Sequence, residues 1–70
     1  MGYDITFKDR YGIVLGKWKD WTGIVPGIGD TVRITNHDAT CYKGKVIERD
    51  IERTFYQNAL TCIVEVEESY

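Results

Sequence analysis

The sequence predicts an all-β domain, a small five-stranded barrel whose strands follow one another as an antiparallel meander. Two observations predict it. Apolar and polar residues alternate with period two in run after run, and clusters of Gly, Pro, Asn and Asp separate those runs. No stretch sustains the i, i+3, i+4 spacing of an amphipathic helix, which excludes the main alternative. Closure into a barrel would also remove the edge strands that a small sheet otherwise exposes. Residues 1–70 are read as a single domain, because a chain of 70 residues has room for one core at most.

The first run, Tyr3-Asp4-Ile5-Thr6-Phe7-Lys8, sets Tyr3, Ile5 and Phe7 on one face and the polar residues on the other. Asp9-Arg10-Tyr11-Gly12 supplies a turn in which Gly12 is free to take positive φ. The return strand begins at Ile13. A bulge at Gly16, with Gly16 and Lys17 both opposite Thr6, pairs Ile5 with Trp18 and turns Ile13, Leu15 and Trp18 inward. Trp18 then closes a thin core, while parity leaves the side of Trp21 open.

Val25-Pro26-Gly27-Ile28-Gly29-Asp30 is turn chemistry, with Gly27 expected at positive φ after the proline and Gly29-Asp30 turning the chain again. Thr31-Val32-Arg33-Ile34 follows as a short strand with Val32 and Ile34 inward, and Asn36 to Thr40 is a polar loop. The segment from Cys41 to Phe55 reads as one long extended run, bent near Gly44 or slipped in parity at Val46-Ile47. A turn at Gln57-Asn58 pairs Phe55 with Leu60 and Ile51 with Val64. Ile47, Ile51 and Phe55 then share the inner face with Leu60, Cys62, Val64 and Val66. Arg49 and Arg53 fall on that face too, so they must reach out at a barrel end or cap it.

Composition narrows the functional classes. A hydrophobic share of 43% with 29% charged residues suits a folded domain rather than a disordered one. The formal charge of −2 gives no general attraction to nucleic acid or anionic lipid. The opening MGYDITFKD has neither a basic start followed by an apolar run nor any long apolar segment, so a cytoplasmic protein with no membrane partner is expected. Cys41 and Cys62 lack C-x-x-C spacing and lie far apart along paired strands, which predicts two reduced, packed thiols.

Certain residues are similar to known families. Pro26-x-x-Gly29-Asp30-x-Val32 and Tyr42-x-Gly44-x-Val46 resemble the turn-and-strand signature of SH3-like barrels, a look shared by many short bacterial and phage-borne proteins. Gly29 to Val46, GDTVRITNHDATCYKGKV, also resembles the KOW motif of ribosomal and transcription-elongation proteins. The resemblance covers about a quarter of the chain, mostly turn and core residues, which specify a barrel well and an activity poorly. It implies an SH3-like fold. The KOW loop is typically basic, whereas Asn36-His37-Asp38-Ala39-Thr40 carries no lysine or arginine.

Candidate sites follow from residue chemistry. Gly27-Ile28-Gly29 precedes a strand and lacks a P-loop lysine, so it reads as a turn rather than a phosphate cradle. His37, Asp38 and Cys41 lack the further partners that nucleophilic catalysis or zinc would require. Trp21, Lys17, Lys19 and Tyr11 have the chemistry to stack on bases and neutralise phosphates. Glu48, Asp50, Glu52, Glu65 and Glu67 form an acidic strand face suited to docking a basic partner. The resulting expectation is a non-catalytic interaction module without metal or cofactor. It would dock an unidentified protein within a larger assembly, of the phage or mobile-element kind that the family resemblance implies. A nucleic-acid or ribosome-associated binding domain is the alternative.

Overall fold

The computed structural model describes residues 2–69 and contains five strands and no helix. They are β1 (Tyr3–Lys8), β2 (Val14–Trp21), β3 (Thr31–Thr35), β4 (Cys41–Arg53) and β5 (Asn58–Ser69). The sheet order is β2-β1-β5-β4-β3, and the sheet curls into a half-barrel around one core. The all-β, five-strand expectation therefore holds, but its connectivity differs from a simple antiparallel meander. β1 and β5 pair in parallel, with Ile5 beside Leu60 and Phe7 beside Cys62. The chain enters the sheet as two antiparallel units, the β1–β2 hairpin and the β3–β4–β5 meander. Those units join along the edges that each would otherwise leave bare.

Alternation does place the core. Ile5, Phe7, Leu15, Val32, Ile34, Val46, Leu60, Cys62 and Val64 are buried, with Tyr3, Trp18, Val25 and Tyr42 packed against them. Each fully buried apolar side chain of this size contributes roughly 1.5–3 kcal/mol, so these few positions carry most of the stability of a small domain. The Phe7 and Trp18 rings meet edge-on, their centroids 4.7 Å apart.

β2 and β3 approach each other without forming a ladder. Asn36 bridges them, its Nδ2 donating to the Leu15 carbonyl at 2.8 Å. That bond satisfies a partly buried acceptor at the closed end of the half-barrel, a role that a loop asparagine's sequence context does not announce.

Bulges account for most departures from the expected register. Ile5 does face Trp18, but Phe7 faces Gly16 and Lys8 faces Val14, so Leu15 is the extra residue rather than Gly16. Ile13 consequently turns outward and is exposed. In the turn before β3 the left-handed residue is Gly29 (φ 92°), not Gly27. The Asp30 N–H donates to the Gly27 carbonyl, and Asp30 Oδ2 accepts from the Gly27 N–H, bracing the turn from both sides.

In β4 the bend and the parity slip are both present. Register shifts fall between Lys43 and Gly44 and between Val46 and Glu48. Gly44 is buried where β4 runs hard against β5, and a Cβ there would lie 2.7 Å from Val64 Cγ1. The β4–β5 turn sits at residues 54–57, so Ile51 pairs with Leu60 rather than Val64. Thr54 Oγ1 accepts from the Tyr56 and Gln57 N–H groups, favouring this turn over one centred on Gln57-Asn58. Phe55, expected in the core, instead stands at the tip and is 96% exposed.

Candidate functional site

The proposed stacking residues do not converge. Asp20 takes a left-handed backbone (φ 50°), a conformation aspartate tolerates better than most residues. Its N–H donates to Asp4 Oδ1, and its own carboxylate accepts from the Gly2 N–H. This irregularity sets three residues of β2 against two of β1, so Trp18 and Trp21 both turn to the concave side. Their rings lie 4.7 Å apart, and Trp21 Nε1 donates to the Ile24 carbonyl. Lys17 pairs with Thr6 on the convex face, and Lys19 borders the same depression as Lys17 and Asp4. Tyr11 sits in the turn at the far end of β1, about 20 Å from Trp21 by strand rise.

Trp21 thus belongs to the open mouth of the half-barrel. There an open groove of about 340 Å³ runs between Trp18, Trp21, Ile24, Pro26 and Arg33. The two inward arginines of β4 brace the same region, as their positions demanded. Arg49 Nη1 donates to the Pro26 carbonyl and Arg53 Nη2 to the Tyr3 hydroxyl, each at 3.1 Å.

The five carboxylates also separate. Glu48, Asp50 and Glu52 stand on alternate positions of β4, opposite Ile63, Thr61 and Ala59 of β5. They form a convex row with charges about 6.6 Å apart, set by the strand rise. Glu65 lies opposite Lys45, which offsets it, and Glu67 falls in the irregular stretch beside the Lys43–Glu68 pair. Lys8, Glu48, Arg49, Asp50, Thr61 and Ile63 surround an open depression of about 520 Å³. The β4 row is the part of the acidic face with no cation directly opposite it on β5.

Loop residues 36–40 contain no assembled site. Thr40 donates to Asp38 through both its N–H and its hydroxyl, which holds the Asp38 carboxyl below the usual range. Asp38 is engaged by Thr40, not by His37. No group of three or more His, Cys, Asp and Glu side chains gathers in metal-binding geometry among the described residues. No described helix is long and apolar enough to cross a membrane.

Both cysteines are free thiols, Cys62 buried and Cys41 partly so. Burial pushes the Cys62 thiol up, with Arg49 pulling weakly the other way. A thiol whose folded pKa is raised stabilises the fold below its unfolded pKa, and loses that contribution as pH rises through the folded value. A disulfide-exchange reagent at pH 8 is therefore expected to label Cys41 at least tenfold faster than Cys62. Stability should fall as pH climbs past about 9, and a Cys62→Ala variant should lose part of that decline. Equal labelling rates in the folded protein would contradict the burial of Cys62.

No match to this chain is found among protein-family models, curated proteins or solved structures. Its function must be argued from its own surface.

Proposed function

We propose that this chain is a non-catalytic docking module for a protein partner, SH3-like in design and working in the cytoplasm as part of a larger assembly. The supporting observation is the β4 row. Glu48, Asp50 and Glu52 lie exposed on one face of β4, along the half of that strand that pairs with β5 alone. Rows of like charge in that setting steer and select a basic partner more than they stabilise the fold. Separation of Lys17 and Lys19 from Trp21 removes the pairing of cation and stacking ring that favoured nucleic acid.

The test compares wild type with an Asp50→Lys/Glu52→Lys variant as baits, each checked for native circular dichroism and each run with and without nuclease. The expected result is a protein captured by wild type at low salt, lost with the variant and unaffected by nuclease. Identical capture by both baits would remove the acidic row as the contact surface. Capture abolished by nuclease would move the nucleic-acid reading ahead.

A further inference from the structure

The lower half of β4 is an open sheet edge. β3 pairs with β4 only through Lys45, and the chain before β3 continues that contact for one residue, Gly29 N–H to Val46 O and Val46 N–H to Asp30 O. Beyond Val46 no backbone hydrogen bond joins β4 to anything but β5 among the described residues. Residues 47–53 are all exposed. An edge of this length, about 23 Å, is a template for another strand.

Side chains along that edge say which strand fits. Glu48, Asp50 and Glu52 occupy the convex face, while Arg49, Ile51 and Arg53 share the concave face with their partners Cys62, Leu60 and Asn58. A second copy is a poor occupant. Edge-to-edge antiparallel pairing that keeps the sheet faces continuous sets residues of equal parity opposite one another. The registers of residues 47–53 against themselves with the greatest overlap therefore lay carboxylate against carboxylate on one face and arginine against arginine or an isoleucine on the other. Like charges directly opposite destabilise a strand pair, so the edge rejects its own kind and stays open to a complementary one.

The geometry points to strand addition: residues 47–53 of β4 accept an extended peptide segment of a partner protein. That segment carries basic residues on alternate positions, with an apolar residue opposite Ile51 and acidic residues opposite Arg49 and Arg53. Backbone hydrogen bonds would hold the added strand, and the two charged faces would set its register. This rests on the docking reading above and specifies its mode.

Two seven-residue peptides of identical composition and zero net charge provide the probe, acetylated and amidated at their ends. The matched peptide is Thr-Glu-Lys-Val-Lys-Glu-Thr, and the control is Thr-Lys-Glu-Val-Glu-Lys-Thr. Both read the same in either direction, so neither presupposes parallel or antiparallel addition. Titrated at millimolar concentration into isotope-labelled protein, the matched peptide should shift amides of residues 47–53 and slow their hydrogen exchange. Its affinity should exceed that of the control by about tenfold, from the four charged cross-strand pairs. An Asp50→Lys/Glu52→Lys variant should bring the two peptides to comparable affinity or reverse the order. A matched peptide N-methylated at all five internal residues should lose binding, because neither edge of its backbone can then donate to β4.

Absence of shifts at residues 47–53, or equal binding of matched and control peptides, would overturn strand addition. If that happened while protein capture still depended on Asp50 and Glu52, docking would stand and only its mode would fall. Binding of the matched peptide with no dependence of capture on the row would separate the two the other way.

Discussion

Phe7→Ala should leave the domain largely unfolded at 25 °C. Phe7 is fully buried between β2 and β5, beside Cys62, opposite Gly16 and edge-on to Trp18. Truncating a buried phenylalanine costs about 3–5 kcal/mol, since lost transfer energy adds to the cavity left behind. A chain this short has a total stability of roughly 3–10 kcal/mol. The loss therefore consumes most of the margin. Urea unfolding followed by tryptophan emission should show the midpoint collapsing toward zero denaturant, with Trp18 red-shifted before any is added. Phe7→Leu, which keeps much of the volume, should retain a cooperative transition. A Phe7→Ala protein that unfolds within 1 kcal/mol of wild type would mean that the core is not centred on this ring.

Gly44→Ala should be the second severe change, although it adds one methyl group. The new Cβ would lie 2.7 Å from Val64 Cγ1 and 2.9 Å from the Glu65 carbonyl carbon. Backbone on a paired strand has nowhere to retreat, so the β4–β5 ladder must open at its bulge. A cost of about 2–3 kcal/mol is expected, at the upper end for overpacking. Gly27→Ala is the control. The nearest atom to its added Cβ is Asp30 Oδ2 at 3.4 Å, and this substitution should change stability by less than about 0.5 kcal/mol. Equal costs at the two glycines would show that the loss at Gly44 does not arise from close strand approach, since the unfolded-chain entropy favours alanine at both positions.

The candidate surface was partly legible before folding was considered. Alternation alone put Glu48, Asp50 and Glu52 on one face of a strand and Arg49 with Arg53 on the other, and both assignments survive in the structure. Alternation also put Glu65 on the outer face, but only the register sets Lys45 opposite it. Lys45 opposite Glu65 follows from the bulge at Val46–Glu48 and from a turn four residues long, neither of which has a unique signature in the chain. The side of Trp21, which parity left open, is set by one left-handed aspartate just before it, and no periodic pattern announces where such a residue falls.

By itself the sequence determined the all-β class, five strands and most of the buried residues. These depend on a period of two that each strand carries within itself. Only the tertiary structure decided that β1 lies parallel to β5, where Leu15 bulges, and that the lower half of β4 ends the sheet. Those outcomes depend on which edges meet across some fifty residues of chain and on how the curled sheet closes, and a local pattern is the same for every pairing of edges.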